Sequence, residues 1–355
     1  MTVACVILAA GLGTRMKSGR AKVLHPVGGV PMIHHPVALA REVGAARVIA
    51  VLGHQLWLVK GALDARFGAG AVEVAEQREQ LGTGHAVMQA VPRLEGFTGG
   101  VVILSGDVPL LRAETVGRLC AAWETAGTLA FITMRPSGAH AYGRVVRDAG
   151  GTVVRIVEHK DATPAERAID EVNSGIYCID AAFLRTAIAG LENRNAQGEF
   201  YLTDLVARAA AGGRAAAGAP GAEGPRVAQS SSVATIEAEP DEVMGINDRA
   251  ELARADALWR HQRCEGLMRA GVTIRDPATC YLEADVEIGH DAEIGPGVVL
   301  AGRTIVGEGA IIEAGCVLRD VTVGAGARIG AHAVLTAQTV APGATVGPLS
   351  RLTPS

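Results

Sequence analysis

Arg15 and Lys22 stand seven residues apart around a glycine-bearing stretch, "VILAAGLGTRM" at residues 6–16 running on into "GRAKVLHPVGG". A guanidinium and an ammonium this close can face one phosphate chain if the loop between them curls back. Gly11 and Gly13 give the turn freedom to aim backbone N–H groups at an anion. Spacing excludes two familiar glycine loops: the dinucleotide fingerprint needs a third glycine where Met16 stands, and a Walker loop needs Gly-Lys followed by Ser or Thr. A nucleoside triphosphate is the anion such a turn suits, although a plain strand-to-helix turn uses glycine in the same way.

Two further stretches follow apolar runs. In "EQREQLGTGHAV", residues 76–87, Gln77 offers an amide with donors and acceptors suited to a base edge, and Gly82-Thr83 permits close backbone approach. In "VVILSGD" an apolar strand ends in Gly106-Asp107. A carboxylate there can hold Mg²⁺ against phosphate oxygens, or can cap the next helix. His34 and His35 adjoin on a helical pattern, where consecutive side chains diverge, so they make a poor metal pair.

The elements that must position these residues follow from periodicity. From Thr2 to about residue 180, strand-like runs ("TVACVILAA", "ARVIAVLG", "GAVEVAEQ", "GGVVILSGD", "TLAFITM", "SGIYCID") alternate with helical patterns. That alternation predicts an α/β domain with a mostly parallel sheet, ligands lying beyond the carboxyl ends of its strands. Residues 211–232, rich in Ala, Gly, Pro and Ser, read as a flexible surface loop within a first domain over 1–249. A connecting helix is expected over 250–271, ending at Gly271. Beyond it, in 272–355, aliphatic residues recur six apart at Ile288, Ile294, Leu300, Val306, Ile312 and Leu318, slip once, and resume at Val323, Ile329 and Leu335. This repeat predicts a short parallel β-helix of about four coils.

Composition narrows the function classes. The chain has 355 residues, is 49% hydrophobic and only 3% aromatic, and carries a net charge of −4. There is no basic footprint for nucleic acid or anionic membrane. No run is long enough for a membrane span and no export signal opens the sequence, so a cytoplasmic location is expected. The six cysteines lack paired ligand spacing and read as reduced packing residues, not as a zinc site.

The motifs "LAAGLGTRM", Lys22 in "KVLH", "EQLGTGHA", "SGDVPL", "YGRV", "IVEHKDAT", "VNSGIY", "NAQGEFYLTD" and "GIND" occur in an order that resembles the bifunctional N-acetylglucosamine-1-phosphate uridylyltransferase/glucosamine-1-phosphate acetyltransferase family. The resemblance implies a Rossmann-like nucleotidyltransferase domain followed by a left-handed β-helix of hexapeptide repeats. It implies that Leu8, Ala9, Ala10, Gly11 and Gly13 line the nucleotide, that Arg15 and Lys22 hold its phosphates, and that Gln77, Gly82 and Thr83 read uracil. Ser105, Gly106 and Asp107 would pass beneath ribose and metal, Asp107 and Asn247 would ligate Mg²⁺, and Gly143, Glu158 and Asn173 would bind the sugar. The implied reaction is UMP transfer from UTP to N-acetylglucosamine-1-phosphate, with Arg15, Lys22 and Asp107 as the catalytic set.

Departures from the family pattern qualify what is carried over. Ser105 stands where tyrosine is usual, Ala21 where proline usually precedes the lysine, and Thr353 where a substrate-binding arginine is expected. The sequence stops short of the coils that bear the family's acetyl-transfer residues, so no acetyltransferase activity is expected. The resemblance also implies homotrimers through the β-helix, weakened by the smaller number of coils. Two rival readings remain open: a nucleotidylyltransferase for another sugar-1-phosphate or nucleotide, and a non-catalytic nucleotide-binding regulator.

Overall fold

The computed structural model describes residues 2–138, 140–217 and 232–354. The chain divides into two compact units, one of residues 1–25 and 31–248, the other of 26–30 and 249–355. No described helix is long and apolar enough to cross a membrane.

The first unit is built on a nine-stranded sheet: β1 (Val3–Ala9), β2 (Arg47–Leu52), β3 (Glu73–Glu76), β4 (Gly100–Ser105), β5 (Leu129–Met134), β6 (Arg144–Arg147), β7 (Val153–Val157), β8 (Val172–Asp180) and β9 (Val233–Glu237). The spatial order is β9-β5-β8-β4-β1-β2-β3, with β6 paired to both β8 and β7. Strands β4, β1, β2 and β3 run parallel to one another, as the strand–helix alternation predicts. β8 runs antiparallel to both β4 and β5. Side chains alternate across each strand: Val3, Cys5 and Ile7 enter one apolar layer, Ala4 and Val6 the other. Burial on both faces is why β1 reads as a continuous apolar run.

Helices α1 (His34–Glu42), α2 (Leu56–Phe67) and α4 (Ala113–Ala126) bury Val37, Val59, Leu63, Val116 and Leu119 on one side of the sheet. Helices α3 (Thr83–Ala90), α5 (Ala181–Ile188) and α6 (Asp204–Ala217) cover the other with residues such as Val87, Leu184 and Leu205. Helix α6 corrects one expectation. Its last turns run through residues 211–217, which the Ala/Gly composition assigned to a loop. Alanine is the strongest helix former, and here it outweighs two glycines. The rest of the expected loop, 218–231, lies outside the described residues.

In the second unit α7 (Arg249–Arg269) leads into a parallel β-helix. Arg260 on α7 lies over the ring of Tyr281 at 4.1 Å while Asp256 accepts a hydrogen bond from its Nε at 3.1 Å. Short strands stack into three parallel sheets of five, five and four strands. One inward column runs Leu282, Leu300, Leu318, Leu335, and small residues such as Ala310, Cys316 and Ala327 fill the neighbouring corners. Fully buried Thr304 is the polar member of this core. Its hydroxyl donates to Ala301 O at 2.7 Å and accepts from Val321 N–H at 3.3 Å. The slip in the six-residue repeat has a structural cause. Val299 pairs with Val317, whereas Val317 pairs with Val334, so the coil that turns at Asp320 is one residue shorter. All six cysteines are buried and free.

Candidate active site

The parallel strands β1, β2, β3 and β4 end on one side of the sheet, and the carboxyl ends of β1, β3 and β4 frame a cleft of about 290 Å³. Leu8 and Ser105 are register partners, and Leu8 O accepts the Gly106 N–H at 2.9 Å, which joins the two central strand ends. Leu8, Ala9, Ala10, Gly11, Lys22, Gln77, Gly82, Thr83, Ser105 and Asp107 all line the cleft. Gly106 packs behind it, against Ala9.

Gly13 does not line the cleft but explains how the loop returns Lys22 to it. Its φ is +61°, and a Cβ there would stand 2.6 Å from Lys22 Cβ. Only a residue without a side chain lets the two ends of the loop close on each other. Lys22 Nζ contacts Asp107 Oδ2 and lies 3.5 Å from Asn247 Oδ1. Arg15 donates to the same Asn247 oxygen at 2.8 Å. Asn247 reaches this place because Ile246 N–H donates to the carbonyl of Asp107 at 3.0 Å. Two loop cations thus converge on one carboxylate and one amide oxygen.

Gln77 is held at the end of β3 by its N–H, which donates to Leu52 O at 2.8 Å. Its buried amide donates to Gly82 O at 3.2 Å and lies 3.1 Å from Nδ1 of His85. That contact ties the loop 77–82 to the first turn of α3. Gln80, Glu199, Val23 and Ala86 also line the cleft, and sequence reasoning singled out none of them. Gln80 had a signal, a second amide in the same glycine-flanked stretch. Glu199 had none beyond its motif: it arrives from "NAQGEF" because Phe200 N–H donates to Leu81 O and Gly84 N–H to Phe200 O, both at 2.8 Å.

Gly143, Glu158 and Asn173 form a second group that does not line this cleft. Asn173 N–H donates to Gly143 O at 2.9 Å, and a Cβ on Gly143 would lie 3.4 Å from Glu158 Oε1. Asn173 is fixed at both ends of its amide: Nδ2 donates to the Tyr177 hydroxyl at 2.6 Å and Oδ1 accepts from Gly175 N–H at 3.0 Å. Burial raises the pKa of Glu158 above the usual carboxylate range, reinforced by Asp161, Asp204 and Glu199, although a hydrogen bond from Thr203 at 3.0 Å opposes the shift.

Cations carried by a strand-end glycine loop, opposed by a strand-end aspartate, are the equipment of a nucleotidyltransferase, and the sheet is of the kind on which such enzymes are built. Residues 5–194 match the MobA-like NTP transferase domain, and the chain belongs to that family. The bacterial transferase hexapeptide model of six repeats matches residues 285–320 and 303–337, in agreement with a left-handed β-helix. The chain is 50% identical over 318 residues to "Bifunctional protein GlmU" of Anaeromyxobacter sp. (strain Fw109-5), covering 90% of this chain and 61% of that protein. It is 47% identical over 319 residues to the protein of the same name in Geobacter sulfurreducens, covering 89% and 63%. The chain therefore spans about three fifths of the length of these curated relatives. A Bacillus anthracis structure assigned as a glucose-1-phosphate thymidylyltransferase matches with a TM-score of 0.51 at 19% identity, over 72% of this chain and 95% of that one, a likeness of fold.

Proposed function

We propose that the protein transfers UMP from UTP to N-acetylglucosamine-1-phosphate, releasing pyrophosphate. The observation that carries the reading is the convergence of Arg15 and Lys22 on Asp107 and Asn247 at the strand-end cleft. Similarity to two proteins named "Bifunctional protein GlmU" supports the uridylyl choice, as do Gln77, Gly82 and Thr83 lining that cleft. A sugar-phosphate oxygen attacks the α-phosphorus of UTP, a new P–O bond forms, and the bond to the bridging oxygen breaks with its electron pair leaving on pyrophosphate. No protein nucleophile is needed, so the chain's work is positioning and charge neutralisation. Lys22 and Arg15 neutralise the phosphates, Gln77 orients the base, and Glu158 and Asn173 hold the sugar hydroxyls and acetamide.

The donor set fits a hard cation. The carboxylate of Asp107 and the amide oxygen of Asn247 both meet an ammonium, and oxygen donors of this kind, in small number, suit Mg²⁺ beside phosphate. When bound, Mg²⁺ would supply Lewis-acid neutralisation of phosphate charge.

The test is Mg²⁺-dependent pyrophosphate release from UTP and N-acetylglucosamine-1-phosphate, run against other sugar-1-phosphates and nucleotides. Selective turnover of the named pair is expected. Preference for another pair would reassign Gln77 or the Glu158–Asn173 group, and UTP binding without turnover of any pair would replace the enzyme by a nucleotide-binding regulator. Thr353, where the resembled motif carries a substrate-binding arginine, supports an expected lack of acetyl transfer to glucosamine-1-phosphate in this polypeptide. Detectable acetylation would overturn that part. Self-association through the β-helix belongs to the same proposal.

A further inference from the structure

The loop that carries the two cations is exposed from Lys17 to Arg20, between buried Met16 and buried Ala21. A short arc of this composition, with Ser18 and Gly19 at its centre, has no apolar side chain to hold it. Gln55 reaches it from the start of α2, thirty-odd residues on in sequence. Its Oε1 accepts the Ala21 N–H at 2.9 Å and its Nε2 donates to Gly19 O at 2.6 Å. One amide thus grips the chain on both sides of Arg20, immediately before Lys22.

The backbone of Gln55 is unusual as well. Its φ of +54° and ψ of +35° place a non-glycine residue in the left-handed region. That conformation costs a side-chain-bearing residue roughly 1 kcal/mol. A Cβ on Gly53, two residues earlier, would stand 2.9 Å from Ala10 O and 2.8 Å from Gln77 O, so the segment that presents Gln55 lies close against two residues that line the cleft. The grip is therefore mounted on the frame that holds the nucleotide loop.

We propose that Gln55 is a positioning residue for Lys22: its side-chain amide pins residues 19–21 so that the ammonium is delivered to the phosphates instead of sampling solvent. Gln55 does not line the cleft, so it acts through the loop and touches no reacting atom. The proposal rests on the nucleotidyltransferase reading for its kinetic consequence, but its mechanical consequence does not.

Gln55→Gly and Gln55→Asn test it. Both residues tolerate the left-handed backbone, and the strain relieved offsets the hydrogen bonds lost, so both variants are expected to fold with a Tm close to that of the unaltered protein. Neither can span from Gly19 to Ala21, glycine having no amide and asparagine being one methylene short. The first readout is limited trypsin digestion followed by mass spectrometry, since Arg15, Lys17, Arg20 and Lys22 are all cleavage points. Cleavage within 15–22 is expected to be roughly tenfold faster in both variants at unchanged Tm, because opening of the arc no longer breaks two hydrogen bonds. The second readout is kinetic, on whichever nucleotide and sugar phosphate the unaltered protein turns over. There kcat is expected to fall roughly tenfold to a hundredfold, as for a misplaced catalytic group, with little change in the KM for the sugar phosphate. Cleavage and kcat equal to those of the unaltered protein would overturn the proposal. So would a drop in Tm that accounts for the lost activity, with kcat per folded molecule unchanged. If no substrate pair is turned over, the proposed reaction fails, while the trypsin comparison still decides whether Gln55 holds the loop.

Discussion

Asp107 and Asn247 present oxygens that are already met by Lys22 and Arg15. A divalent ion binding to those oxygens has to displace like charges, so the free protein should hold Mg²⁺ weakly until phosphates draw the two side chains away. Lys22→Met is expected to tighten Mg²⁺ binding to the nucleotide-free protein, read by calorimetry, while turnover falls roughly 10²-fold or more through loss of a transition-state charge contact. Unchanged metal affinity would show that Lys22 does not compete for those ligands. Glu158 gives a prediction of a different kind. Its pKa is raised by burial, so the folded protein binds more protons than the unfolded chain between the unfolded and folded pKa values. Stability contributed by this residue is therefore lost as pH rises through that window. Glu158→Gln should raise Tm at pH 7 by about 1–3 °C and lose that advantage below the ordinary carboxylate range, measured by calorimetry across pH. A lower Tm at pH 7 would mean that the hydrogen bond from Thr203 outweighs the burial of charge.

At the scale of elements, the inward columns of the β-helix allow two deletions to be compared. Leu300→Ala empties a fully buried position and is expected to cost about 2–5 kcal/mol. Thr304→Val keeps the volume but orphans the Val321 N–H, at about 1–3 kcal/mol, both read from denaturant unfolding of the β-helix. A neutral Thr304→Val would show that its hydroxyl only fills space. These elements were legible in the sequence for plain reasons. β1, buried on both faces, announces itself by an unbroken apolar run, and the β-helix by a six-residue beat whose slip between Leu318 and Val323 marks a real corner. The Gly82 and Asp107 loops were legible because strand ends in a parallel sheet are where ligands sit. Legibility failed where side-chain hydrogen bonds link distant segments: Gln55 to Gly19, Gln80 to Ala10, Asn247 to Arg15. Asn247 was reachable only through motif resemblance, and Gln55 not even so. The C-terminal turns of α6 were misread because Ala and Gly occur in both loops and helices, and composition carries no term for the helix already running into them.

For the molecule as a whole, the proposed trimer has a visible candidate seam. Tyr281, Val317 and Val334 occupy equivalent register positions on one face of the β-helix and are exposed. An exposed apolar column in an otherwise mixed surface is where a second copy would lie. Sedimentation is expected to give a species three times the 36.5 kDa chain mass at micromolar concentration, and Val317→Glu is expected to return it to one chain. A wild-type monomer throughout that range would remove the trimer from the proposal.

The short coil at Asp320 has a consequence for how such a protein can grow. Coils on the two sides of that corner have different lengths in the chain, because Val299 finds its partner at Val317 but Val317 finds its own at Val334. Yet the inward column Leu282, Leu300, Leu318, Leu335 runs unbroken across the change. The residue gained or lost is confined to the corner, so each coil closes on itself whatever its length. A gene duplication that copies one whole coil of either length therefore keeps every later leucine inward, and only a copy that is not a whole coil turns them toward water.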